Sequence, residues 1–159
     1  MHLPIRHLPS ARRALVAAGL ALLWTATAQA QQLLPEQSKV TFVSTQMGVP
    51  VSGEFTQFDG DVQFDPAKPE EARIALAIDT GSATLGIADT DAELPKPVWF
   101  NVAEFPQATF VSTGVQATGD DSYDVQGDLQ IKGRTEAVTV PVTLQRDGDR
   151  GTASGEFVI

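Results

Sequence analysis

Apolar and polar residues alternate along most of residues 33–159, with the two-residue period of strands that bury one face. Val40 and Phe42 alternate with polar neighbours in Lys39–Ser44, and Val49, Val51, Gly53 and Phe55 share one face of the next segment. Asp59-Gly60 reads as a hairpin turn leading into Val62 and Phe64. Asp65-Pro66 then opens a polar connection to Ile74, Leu76 and Ile78, which interleave with Ala75 and Ala77. After an irregular stretch, Ala108 and Phe110 fall on one face, with Thr109 and Val111 on the other. Gly119-Asp120-Asp121 turns the chain into Val125, Gly127, Leu129 and Ile131, and Lys132-Gly133-Arg134 turns it again into Val138, Val140, Val142 and Leu144. Asp147-Gly148-Asp149 is a further hairpin signal, and Thr152–Ile159 reads as a last strand that stops on apolar residues. About eight short strands at this spacing predict an all-β fold, an antiparallel sandwich or barrel that lacks its last strand or two. Helix is confined to a turn or two within 89–103, where Pro95 and Pro97 limit it.

The first thirty residues follow a different pattern. Arg6, Arg12 and Arg13 precede an apolar run from Ala14 to Trp24, and Ala28-Gln29-Ala30 follows. A basic start, a short apolar run and an A-x-A site predict a cleaved secretory signal peptide over 1–30 and a single exported domain over 31–159. The run is too short to cross ~30 Å of hydrocarbon as an anchor, so no stable membrane insertion is expected. The location this implies is the periplasm.

Cleavage changes the composition. The chain carries 20 acidic and 11 basic residues. Three of the basic ones leave with the signal, so residues 31–159 hold eight against 20 and a formal charge of −12. That balance argues against nucleic acid and anionic membrane surfaces as partners. His2 and His7 leave as well, and the chain has no Cys. Ser-His-Asp and Cys-His triads and His-based metal or haem ligation are therefore excluded from the exported domain by composition.

Carboxylates remain. Asp89, Asp91 and Glu93 are spaced as at the start of a calcium loop, but its sixth and twelfth positions are Leu94 and Phe100 rather than Gly and a bidentate acid. With Asp59, Asp61 and Asp79 they could form a general acid–base pair, although solvated surface charge is the plainer reading of so many acids. Ser44, Ser52, Ser82 and Ser112 lack an activating His, and no metal or cofactor is expected. The remaining constellation is apolar: Phe42, Phe55, Phe58, Phe64, Trp99, Phe100, Phe105 and Phe110 either fill a core or line the lumen of a barrel able to hold one slender apolar ligand. Gly53, Gly127, Ala75 and Ala77 would leave room for it.

Three segments favour the second reading, because in this order they resemble the YceI family of polyisoprenoid-binding, lipocalin-like bacterial envelope proteins. The first is Ser38–Phe42 with Val51-Ser-Gly-Glu-Phe55 and Phe58-Asp-Gly-Asp-Val62. The second is Ile78-Asp-Thr-Gly81 continuing into Trp99–Pro106 and Ala108–Ser112, and the third is Tyr123–Gly133 leading to Val138–Leu144. The departures are a His-free segment, Ala88–Lys96, and the absence of the family's usual Arg-Asp-Phe-Gly-like strand. The resemblance implies an extended antiparallel barrel whose lumen holds a long isoprenoid or other lipid, for example a quinone tail, with transport or sequestration as its role and no catalysis. Lumen residues expected on this basis are Phe42, Val51, Phe55, Phe58, Ile74, Leu76, Ile78, Trp99, Phe100, Phe105, Phe110, Leu129, Ile131, Val140 and Val142. A homodimer or an envelope redox partner is the protein partner it leaves open. The alternatives are a non-catalytic β-rich interaction module of an envelope complex and, last, a carboxylate-based hydrolase.

Overall fold

The computed structural model describes residues 31–158 apart from Met47 and Asp149, so the predicted signal segment lies outside the described residues. Among those residues are ten strands rather than eight. They are β1 (Gln31–Gln32), β2 (Val40–Gln46), β3 (Val49–Phe55), β4 (Phe58–Gln63), β5 (Arg73–Asp79), β6 (Ala83–Thr84), β7 (Gln107–Gly119), β8 (Ser122–Ile131), β9 (Arg134–Asp147) and β10 (Arg150–Gly155). A single α-helical turn, α1 (Ala88–Asp91), begins the irregular stretch. The extra strands are the two-residue pieces β1 and β6, too short and too polar to carry a periodic signal.

All pairings are antiparallel and fall into two sheets. The larger runs β1-β4-β5-β7-β8-β9-β10 and curls into a half-barrel; the smaller is β2-β3-β6. Strand β7 stands at the middle of the large sheet, against β5 on one side and β8 on the other. Register shifts between Ser112 and Gly114 and between Ala117 and Gly119 bulge β7, which sharpens the local twist and helps the sheet coil. The β8–β9 connection has two residues, Lys132 (φ 49°) and Gly133 (φ 75°), both left-handed as a hairpin of this length requires.

Register places the inward set in rows across the sheet. Phe58 stands opposite Ile78, Gly60 opposite Leu76, Leu76 opposite Phe110, and Phe110 opposite Leu129. Phe110, Val115, Tyr123, Val125 and Leu129 are the buried centre of this layer. A second centre lies where the small sheet meets the irregular stretch: Phe55, Ala83 and Leu94, the last only 1% exposed, with Phe42, Ile78, Leu85, Trp99 and Phe100 around them. Phe42, Phe55 and Phe100 meet pairwise at ring-centroid distances of 5.1–5.6 Å, in tilted and edge-on arrangements favourable for aromatic pairs.

Three expectations are corrected. Asp59-Gly60 is not a turn; both residues lie inside β4, opposite Ala77 and Leu76. A Cβ on Gly60 would come within 2.5 Å of the Leu76 side chain, so this glycine makes room for a neighbour rather than reversing the chain. The last strand spans Arg150–Gly155 instead of 152–159, because its register is set by the tight turn after Asp147. The room expected beside the small residues is also taken. Cβ atoms on Gly53 and Gly127 would lie 2.4 and 2.5 Å from Cζ of Phe42 and Phe110, so those rings occupy the glycine gaps. Ala75 and Ala77 lie on the opposite, outward side of β5, facing Asp61 and Asp59 across the strands.

Candidate apolar binding site

Most of the predicted lumen residues are brought together, but in two groups. Ile74, Leu76, Phe110, Leu129, Ile131, Val140 and Val142 belong to the layer inside the large sheet. Phe42, Phe55, Ile78, Trp99 and Phe100 belong to the cluster around Leu94. Val51 and Phe58 are half-buried on the same strand faces but are not packed into either group. Phe105 lies over the β8–β9 turn, where a Cβ on Gly133 would come within 2.7 Å of its ring.

Burial within the inward face is graded. Phe110, Val125 and Leu129 on the central strands are buried, whereas Val138, Val140, Val142 and Leu144 of β9 are only half-buried. On β10 the positions of the same parity are Gly151, Ala153 and Gly155, all exposed. Among the described residues the apolar face is thus least covered toward β9 and β10, where three small residues of β10 follow its last row. A ligand laid along that row would remove half-exposed apolar surface from water at about 25 cal/mol per Å².

A second opening lies at the end of the sheet where the two groups meet. It is an open-sided cleft of about 520 Å³ lined by Trp99, Phe100, Phe105, Ile131, Lys132 and Arg134. Four of these six are apolar and belong to the lumen set that the family resemblance implied. Lys132 and Arg134 were not singled out, because they flank a turn glycine and read as ordinary turn residues. A shallower groove of about 370 Å³ on the outer face includes Asp59, Asp61, Ala75 and Ala77.

The acidic stretch has a structural task. The Asp91 carboxylate accepts from Thr84 Oγ1 and from the Leu85 backbone N–H, both at 2.6 Å, and so ties α1 to the end of β6. Glu93 pairs with Lys96 at 2.5 Å, both well exposed. The backbone N–H of Leu85 and the Thr84 hydroxyl hold the Asp91 carboxyl below its ordinary 3.8. A depressed folded-state value means the unfolded chain binds the proton more readily, so this contribution is present above about pH 4 and is lost as pH falls through the folded value. The Asp91→Asn variant should accordingly lose less stability than the parent between pH 5 and pH 3, read as urea midpoints across that range. Equal losses would remove Asp91 from the acid response.

Comparison with known proteins gives a consistent set of similarities. The profile of a family described as YceI-like domain matches residues 32–159. A UPF0312 protein of Azotobacter vinelandii is 38% identical over 96 residues, which are 60% of this chain and 50% of that protein. The chain thus spans about half the length of the curated relatives it matches. Among solved structures, BcnA of Burkholderia cenocepacia is 40% identical, with a TM-score of 0.75 and 78% of each chain covered. A polyisoprenoid binding domain from Saccharophagus degradans, implicated in plant cell wall breakdown, shares the fold at 19% identity and TM-score 0.50, over 67% of this chain and 61% of that one.

Proposed function

Because the chain belongs to the YceI-like family, we propose that it is a periplasmic carrier that holds a long-chain isoprenoid or similar lipid, such as a quinone tail, against the inward face of its curled sheet. The observation that carries this reading is the half-buried row Val138, Val140, Val142 and Leu144, an apolar strip continuous with the buried core yet open to a ligand. Each isoprene unit buried there is worth on the order of a few kcal/mol, so affinity needs chain length and no reactive group. The family's polyisoprenoid-binding neighbour supports the ligand class. The basic and apolar pattern of residues 1–30 supports export, and the acidic surface of residues 31–159 would keep a carrier off anionic lipid headgroups. Binding rather than catalysis also suits a domain whose residues 31–159 contain neither His nor Cys.

Native mass spectrometry of protein purified from the periplasm is expected to show a co-purifying lipid that is lost on organic extraction and restored by titration with a long isoprenoid alcohol. Apoprotein alone, with no uptake in the titration, would defeat the reading. One observation favours a second reading as an interaction module: among the described residues β10 is the outermost strand of the large sheet and all six of its residues are exposed, the arrangement that accepts a partner strand. A homodimer or a redox partner would then pair there, and the same spectra would show a protein complex in place of a lipid adduct.

A further inference from the structure

The sequence Asp-Gly-Asp occurs twice in the chain, at residues 59–61 and 147–149. The fold puts the two in opposite settings. Asp59 and Gly60 lie inside β4, in register with Ala77 and Leu76 of β5. Asp147 is the last residue of β9, and Gly148 (φ 60°) turns the chain toward β10.

An Asp-Gly bond carries a slow reaction of its own. The glycine amide nitrogen attacks Cγ of the neighbouring carboxyl in its protonated form; a C–N bond forms, and the amide hydrogen and carboxyl hydroxyl leave as water. The five-membered imide then takes up water at either carbonyl. Opening at the side-chain carbonyl restores aspartate. Opening at the backbone carbonyl gives isoaspartate, whose main chain runs through Cβ and Cγ. No atom is gained or lost overall, and water is the only co-reactant. Glycine favours the attack because it has no Cβ to restrict its backbone or crowd the nitrogen.

Closure requires the aspartate to swing its ψ out of the extended range. In β4 that swing would pull Asp59 and Gly60 from their pairs with β5. The surroundings of Gly60 are full, since a Cβ there would lie 2.5 Å from Leu76 Cδ2 and 3.0 Å from the Ala75 carbonyl oxygen. The Gly60 N–H donates to Asp59 Oδ1 at 2.7 Å, so its hydrogen rather than its lone pair faces the carboxyl. At residue 147 little resists the swing. Pairing with β8 ends at Thr143, with one further backbone bond from Leu144 to Asp121, and Asp147 is in register with Arg150 alone. The Arg146–Asp121 ion pair anchors the preceding residue by its side chain only. No atom lies within 4 Å of the Cβ position at Gly148, and the exposed strand that follows is the outermost of the large sheet among the described residues. Hairpin ends of this kind open at small free-energy cost.

We propose that Asp147-Gly148 is a site of isoaspartate formation, and that Asp59-Gly60 is protected from the same reaction by its strand. The product turn is one backbone atom longer. The Asp147–Arg150 and Arg146–Gly151 pairs then lose register, and β10 loosens from Val142 and Leu144 of β9. The assignment does not depend on which ligand the sheet holds.

The test is to incubate the whole protein at neutral pH and physiological temperature and map its peptides by electron-transfer fragmentation, which distinguishes isoaspartate from aspartate. In folded protein isoaspartate is expected to accumulate about tenfold or more faster at residue 147 than at residue 59, with similar rates once urea unfolds the chain. Asp147→Glu, which would need a larger ring, should abolish the reaction there and leave the rate at Asp59 unchanged. No isoaspartate at 147, equal rates in the folded protein, or a difference that persists in urea would each overturn the assignment. In the isoaspartyl fraction the amide hydrogens of residues 150–155 should exchange faster than in fresh protein, and unchanged exchange would overturn the loosening of β10.

Discussion

Replacing Gly127 by valine is expected to cost about 3 kcal/mol or more of stability, the upper range for overpacking a well-filled interior. Gly127 is buried in the middle of β8, opposite Ser112 on one side and Val138 on the other. A Cβ there would lie 2.5 and 2.6 Å from Cζ and Cε2 of Phe110 and 2.6 Å from the Val111 carbonyl oxygen. The ring could turn aside at some cost in packing, but the carbonyl belongs to the β5–β7–β8 ladder and moves only if the ladder moves. Gly127→Ala should act in the same direction and by less. The measurement is the urea midpoint, with an unchanged slope marking a change in stability alone. A valine variant as stable as the parent would mean that the Phe110 ring moves away freely, and the space beneath it would then be open to ligand.

The second large effect is expected at Leu94. Truncation to alanine should cost about 3 kcal/mol and lower Tm by roughly 10 °C, the usual outcome of emptying a fully enclosed leucine site in a domain of this size. Leu94 is 1% exposed, although Glu93, Pro95 and Lys96 on either side are exposed. It sits beside Phe55 and Ala83, and its carbonyl accepts the Phe100 N–H at 3.1 Å, so it holds the irregular stretch against the small sheet. Calorimetric Tm values for Leu94→Ala and Leu94→Met separate cavity formation from loss of shape, since methionine keeps most of the volume and should cost far less. A negligible shift for alanine would mean that the cluster collapses without penalty.

Leu94 also shows where sequence reading stops. A lone leucine among acids and prolines has no period, so nothing in the pattern separates a central core residue from a loop residue; its only signal is being apolar where its neighbours are not. By contrast, the existence and pairing order of β8 and β9 were legible, because Val125–Ile131 and Val138–Leu144 alternate without interruption and a Lys-Gly pair separates them, although both strands run three or four residues beyond the alternation, β8 at its start and β9 at both ends. Asp59-Gly60 misled for the opposite reason. Asp-Gly is a strong turn signal, but a glycine is equally required where a leucine from the next strand needs its space, and local sequence does not distinguish the two. Division into two sheets was not legible either, because pairing partners such as Glu54 and Thr84 are thirty residues apart. For the site, the family resemblance supplied the apolar wall, since Trp99, Phe100 and Phe105 lie in the irregular stretch where nothing alternates, while Lys132 and Arg134 read as ordinary turn residues.

The place of β7 in the large sheet carries a consequence for how the chain reaches its fold. Strands β7 to β10 form a meander with short connections, so each can add to its predecessor as soon as it is made, with little loop entropy to overcome. Strands β1, β4 and β5 can form only a partial sheet on their own, since β5 must wait for residues 107–111 before its other edge is covered. Two thirds of the polypeptide must therefore exist before the large sheet gains its middle. Until residues 107–111 are made, β5 keeps one edge without its partner strand.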